Sequence, residues 1–148
     1  MKKISSDIEI NASPERVWQV LSDAASIPEW NPFIRSMEGD LTVGSRLKVY
    51  LKASKGMGMT FKPTVLKVET NRELRWIGRL LMPGLMDGEH AFTIEQLENN
   101  QIRFIQSESF TGVLVPLMAA MGVFKNALIG FGEMNQALKT RAEAGVAL

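Results

Sequence analysis

Cysteine is absent and histidine occurs once in the 148 residues. Without a thiol the chain has no disulfide, no thiolate nucleophile and no cysteine-based structural zinc site. One histidine cannot build a multi-histidine metal centre, so no metal is expected. Charge of one sign is lacking too: 17 Lys+Arg stand against 16 Asp+Glu, a net charge of +1. Binding to nucleic acid needs clustered cations that displace counterions, and no such partner is expected. No window holds the roughly 18 apolar residues of a membrane span. The best candidate, Val113 to Gly132, is interrupted by Lys125, Asn126 and glycines, so stable membrane insertion is not expected. Lys2 and Lys3 resemble the start of a signal peptide, but Ser5, Ser6, Asp7 and Glu9 break any apolar stretch, which leaves the cytoplasm as the expected location. No G-x-G-x-x-G fingerprint is present, and Gly56-Met57-Gly58-Met59 lacks the Lys-Ser/Thr of a phosphate loop. No cofactor is therefore expected.

What is present is an ordinary globular composition, with 45% hydrophobic and 22% charged residues. That is one domain over residues 1–148, able to bury roughly 68–70% of its unfolded surface. Ile4, Ser6, Ile8 and Ile10 alternate with polar partners and read as a half-buried strand. Ser13-Pro14 opens a helix, with serine as cap and proline at the first helical position, and the helix stops before Ile27-Pro28. A second short helical turn around Glu29-Trp30-Asn31 leads from Phe33 into a strand. Further strands read over Arg46–Ala53, Met59–Val68, Glu73–Leu81, Met86–Glu98 and Gln101–Thr111, parted by Gly, Pro and Asn turns. Their short connections make an antiparallel meander. After Pro116 the period becomes helical, with Leu117, Met121, Phe124, Leu128, Phe131 and Leu138 on one stripe and Asn135 its polar member. The pattern predicts one helix from about Val115 to about Ala144, whose glycines mark close packing or room beside a cavity.

This order of elements resembles the helix-grip fold of the START/Bet v 1-like superfamily, within it the polyketide cyclase/dehydrase and lipid-transport-like family. The resemblance is carried by Ile8-Glu9-Ile10-Asn11-Ala12-Ser13-Pro14-Glu15-Arg16-Val17-Trp18, Leu21-Ser22-Asp23, Pro28-Glu29-Trp30-Asn31-Pro32-Phe33 and Glu108-Ser109-Phe110-Thr111-Gly112. It implies an α+β fold in which a curved, seven-stranded antiparallel sheet grips the long C-terminal helix around an apolar cavity, with two short helices after the first strand. Members bind lipids, sterols, polyketides or plant metabolites, and some catalyse cyclisation or dehydration. The fold has no fixed catalytic triad to carry over.

Strand parity then selects residues for that cavity, because side chains two apart share a face. Phe92 and Ile94 set the inner face of one strand, and His90 shares their parity. Ile102, Phe104 and Phe110 set that of the next, with Gln106 and Glu108. A turn at Glu98-Asn99-Asn100 pairs Ile94 with Phe104, Phe92 with Gln106 and His90 with Glu108. An imidazole beside a carboxylate can do general acid–base work on an enolisable ligand, or the two can simply satisfy each other. His90 and Glu108 are thus the candidate catalytic pair. Trp76, Phe61, Phe92, Phe104, Gln106, Met121, Phe124, Leu128 and Phe131 are the candidate ligand-binding residues. Trp18 and Trp30 read as scaffold, with Trp30 also a candidate for the cavity mouth. Arg75 and Arg79 have outer-face parity and read as solvated charges.

Three functions follow. The first is binding of a small hydrophobic molecule in the cavity. The second is a cyclase or dehydratase acting on a polyketide-like substrate through His90 and Glu108. The third is a protein-interaction module, since some relatives of this fold act as chaperone cofactors. The apolar stretches Leu80-Leu81-Met82 with Leu85-Met86, and Val113-Leu114-Val115, border turns near the expected cavity entrance. They read as a lid, a homodimer contact or a weak membrane-touching rim.

Overall fold

The computed structural model describes residues 1–80 and 82–144; Leu81, expected at a strand end and in an apolar turn, lies outside them. The chain runs β1 (Lys2–Ile10), α1 (Pro14–Ser22), a 3-10 turn (Ala24–Ser26), α2 (Ile27–Trp30), β2 (Ile34–Glu38), β3 (Lys48–Leu51), β4 (Met59–Phe61), β5 (Thr64–Glu69), β6 (Glu73–Arg79), β7 (Asp87–Gln96), β8 (Ile102–Thr111), α3 (Val115–Ala120) and α4 (Val123–Ala144). Ser13 caps α1 by accepting from the Arg16 N–H, with Pro14 in the first turn.

The strands form a five-stranded antiparallel sheet in the order β1-β8-β7-β6-β5 and a three-stranded one in the order β2-β3-β4. A single bridge, Arg46 to Thr64, links the two. This is an α+β helix-grip fold with eight strands among the described residues rather than the expected seven. The expected strand Met59–Val68 is cut at Lys62-Pro63, because proline has no N–H for the ladder and pushes its predecessor out of register. The β7–β8 register matches the sequence expectation: Ile94 faces Phe104, Phe92 faces Gln106 and His90 faces Glu108. Asn99 and Asn100 adopt left-handed backbone at the turn (φ 62° and 60°), which asparagine tolerates and which sets that register.

The C-terminal helix is likewise two helices. Gly122 takes φ +78° between α3 and α4, a left-handed position that ends a helix and that a side chain disfavours. The break also overturns the single stripe. Phe124, Phe131 and Leu138 are buried with Met134, Asn135 and Ala142, whereas Leu117, Met121 and Leu128 are exposed. The 22 residues of α4 span roughly 33 Å and pack along β1. No helix among the described residues is long and apolar enough to cross a membrane.

Arg75 and Arg79 do sit on the outer sheet face, but paired rather than free. The Arg75 guanidinium donates to Glu89 at 2.7 Å and Glu73 at 3.0 Å, and Arg79 lies 3.6 Å from Asp87. The bonds to Glu89 and Glu73 hold Arg75 above its ordinary range.

The glycines of α4 have opposite roles. A Cβ on Gly130 would run into the ring of Phe33, the residue that leads into β2, whereas Gly132 has nothing within 4 Å. Gly130→Ala should therefore lower stability by about 1–3 kcal/mol through overpacking. Gly132→Ala should raise it by about 0.5–1 kcal/mol through helix propensity. Urea unfolding of both variants reads the difference; equal stabilisation would contradict this packing.

Candidate functional site

The inner face of the large sheet carries two adjacent cross-strand rows. One runs Val65, Trp76, His90, Glu108, Ile4, and the next runs Leu74, Phe92, Gln106, Ser6. Four polar residues thus enter an apolar face, and α4 adds a fifth, Asn135. They form one continuous chain. Gln106 Nε2 donates to Asn135 Oδ1 at 2.8 Å and to the Phe131 carbonyl at 3.4 Å, and Asn135 Nδ2 donates to Ser6 Oγ at 3.2 Å. At the other end His90 Nε2 lies 3.1 Å from Gln106 Oε1, and His90 Nδ1 lies 3.2 Å from Glu108 Oε1.

The direction of this chain follows from one fixed group. The Phe131 carbonyl can only accept, so the Gln106 amide turns its NH2 toward α4 and its oxygen toward His90. An oxygen facing His90 Nε2 requires a proton on that nitrogen. The remaining contact, Nδ1 against a carboxylate oxygen, is a hydrogen bond only if it too holds a proton. The Nε2–H is therefore committed to Gln106, which leaves Nδ1 as the ring nitrogen that faces Glu108.

Around this chain the packing is aromatic. The His90 ring stacks on Phe92 at 4.2 Å between centroids, meets Phe131 edge-on at 5.0 Å and lies 5.9 Å from Trp76. Both ring nitrogens are occupied and the side chain is 5% exposed, so His90 is sealed. Glu108 differs: its side chain is 18% exposed. Among the described residues no donor bonds its second oxygen, Oε2, which lies over Gly88 where a Cβ would stand. The strand neighbour of Gly88 is Gly78, whose missing Cβ leaves room for the Phe61 ring at 2.9 Å. The missing Cβ atoms of these two paired glycines thus make room on the inner face for the Phe61 ring and the Glu108 carboxylate. Half-buried Met86, Val115, Met118, Val123 and Ala127 pack against the core.

The structure distributes the other expected site residues unevenly. Trp76 lies 5.9 Å from His90 and 6.3 Å from Phe61 between ring centroids. Phe92, Phe104, Gln106 and Phe131 are 0–1% exposed, so they touch no water-sized space and belong to the packed interior. Phe124 is buried against Phe110 at 4.5 Å. Met121 and Leu128 point outward, for the helix break at Gly122 takes Met121 off the inner stripe. Trp30 is not at an inner mouth. With Pro32, Ile129, Gly132, Gln136 and Ala137 it lines an open groove of about 860 Å³ on the opposite side of α4. Gly78, Gly88, Asn135 and Ser6 were missed as site residues, although each carries a signal. The two glycines share inner parity with Trp76 and His90, Asn135 is the polar member of an apolar stripe, and Ser6 shares the parity of the β1 isoleucines. Among the described residues no group of three or more acidic or histidine side chains is placed to hold a metal ion.

Residues 1–143 match the family described as polyketide cyclase/dehydrase and lipid transport. The chain belongs to that family. No curated protein sequence matches it. Among solved structures, the Zhui aromatase/cyclase from Streptomyces sp. R1128 superposes with a TM-score of 0.79 at 14% identity, covering 98% of this chain and 95% of that one. A START superfamily protein from Mycobacterium smegmatis gives 0.75 at 22% identity over 97% and 99% of the two chains. Protein MLL2253 from Mesorhizobium loti gives 0.73 at 21% over 99% and 100%. At these identities the likeness establishes the family's fold and leaves chemistry to the side chains.

Gln106 is the joint of the chain. Gln106→Leu leaves the His90 Nε2–H and Asn135 Oδ1 buried without partners, at about 1–3 kcal/mol each. The variant should lose at least ~2 kcal/mol, whereas Ser6→Ala, at the half-buried end, should lose about 1 kcal/mol or less. Equal losses by urea unfolding would contradict a chain that is costly only where it is sealed.

Proposed function

We propose that the chain, as one START/Bet v 1-like domain over residues 1–148, binds a small hydrophobic molecule bearing a polar group. The ligand lies beneath α3, between the inner sheet face and the start of α4. The observation that carries this reading is Glu108: a carboxylate inside the sheet, held through one oxygen by His90, with the other oxygen set against Gly88 and bonded to no donor among the described residues. An apolar wall supplies affinity and a single oriented acceptor supplies the choice among ligands. The cover is suited to opening. None of the six residues of α3 is fully buried, and Gly122 at its end has the backbone freedom of a hinge. Family membership and the likeness to START and aromatase/cyclase structures agree with a ligand-binding role.

A second reading is favoured by the same oxygen. Glu108 Oε2 can take a proton from an enolisable carbon of a polyketide-like ligand, while His90 positions the carboxylate without touching substrate. In that reading Glu108 alone is the catalytic residue.

Native mass spectrometry of the freshly purified protein should show a hydrophobic small molecule at about one per chain. Titration of the stripped protein with N-phenyl-1-naphthylamine should show one saturable site. Gly88→Ala, whose Cβ meets the Glu108 carboxylate, should weaken that site roughly tenfold, a steric cost of ~1.4 kcal/mol. An empty protein that binds no lipophilic dye would overturn the reading. If a substrate is found, Glu108→Gln should keep binding and lose turnover; turnover that survives the substitution would contradict the catalytic reading.

A further inference from the structure

Three segments converge at the end of the sheet where α3 begins. The loop after β3 lies on α4, with the Cβ position of Gly56 3.2 Å from the Asn126 amide nitrogen. The turn Met82–Met86 lies on the β8–α3 link, where the Val113 N–H donates to the Gly84 carbonyl at 3.1 Å and the Leu114 N–H to the Leu85 carbonyl at 2.9 Å. These segments expose five large apolar side chains: Met57 at 93%, Val113 at 74%, Met121 at 64%, Met82 at 57% and Leu117 at 53%. Nothing among the described residues covers them.

Lysines outnumber acids beside them. Residues 41–68 and 109–132 contain no Asp or Glu, and neither does the turn Met82–Met86. Lys52, Lys55 and Lys125 belong to these segments, and Lys55 and Lys125 each precede a residue of the Gly56–Asn126 contact. The acids that border the region have partners, although the one on Glu133 is a neutral N–H that leaves its charge in place. Asp87 lies 3.6 Å from Arg79, Glu133 accepts the Ser54 N–H at 3.1 Å, and Glu108 faces inward to His90.

From this we infer that the β3–β4 loop, the Met82–Met86 turn and α3 together form a docking face for an anionic lipid bilayer. The methionines, Leu117 and Val113 enter the headgroup boundary, and the lysines meet acidic headgroups. The charge pattern favours a bilayer over a second copy of the chain. A two-fold contact sets the same patch against itself and brings like-charged lysines together. The attachment is peripheral and reversible, because so few side chains reach the apolar layer and no helix among the described residues is long and apolar enough to span it. It places the cover of the proposed ligand site on the lipid surface, so that a lipophilic molecule can pass between bilayer and protein without crossing water.

Cosedimentation with vesicles of equal parts phosphatidylglycerol and phosphatidylcholine, against pure phosphatidylcholine, tests the inference with the intact chain. Binding is expected to the anionic vesicles only and to fall with added salt. Each lysine near such a surface contributes roughly fivefold, so Lys55→Gln with Lys125→Gln should weaken binding by about 30-fold. Met57→Ser with Met121→Ser should weaken it as well, and Leu66→Ser, exposed elsewhere on β5, should not. Equal binding to both vesicles, no binding, or lysine variants that bind like the parent would overturn it. So would a concentration-dependent dimer, seen by light scattering, that the same Met57 and Met121 substitutions dissolve. The dye titration of the ligand site is independent of vesicles, so failure here leaves that reading standing.

Discussion

A polar chain buried in an apolar interior is the constraint on which the rest of this structure depends. Glu108, His90, Gln106, Asn135 and Ser6 join β8, β7, α4 and β1 through hydrogen bonds of 2.8–3.2 Å. Each bond contributes modestly, but each buried group left without a partner costs about 1–3 kcal/mol. The penalty therefore acts on alternatives more than it rewards the native state. A one-residue slip of β7 on β8 turns His90 outward and strands Gln106, so the chain fixes the hairpin register, and Asn135 fixes the position of α4 over it.

The same constraint divides the labour between two residues that look equivalent in sequence. His90 is enclosed by Phe92, Phe131 and Trp76 with both nitrogens engaged. It can orient and hold a proton but cannot reach a ligand. Glu108 occupies the boundary, with one oxygen fixed by His90 and the other over Gly88. A carboxylate whose rotamer is set by a buried partner is a preorganised acceptor, and preorganisation is what makes a single polar group selective in an apolar site.

Much of this was legible from local pattern. Strand parity and two asparagines that tolerate left-handed backbone placed His90 against Glu108, because hairpin register depends on few residues close in sequence. Single residues that interrupt a period were read less well. Pro63 splits one strand into two, and Gly122 splits one helix into two and so moves Met121 to the surface. The bond from Gln106 to Asn135 links positions 29 apart in sequence, and no local periodicity encodes which polar residue of α4 meets which strand. The packed state of Phe92, Phe104 and Phe131 was likewise hidden, since parity assigns a face and not the volume left above it.

The central claim is the direction of the polar chain, and the protein offers a direct readout because His90 is its single histidine. Long-range 15N–1H correlation spectra of the uniformly labelled chain at neutral pH report the protonation of each ring nitrogen. The account predicts a proton on Nε2, protected from exchange and coupled to the Gln106 amide. A bare Nε2 with a proton on Nδ1 alone would reverse the Gln106 amide and contradict the account.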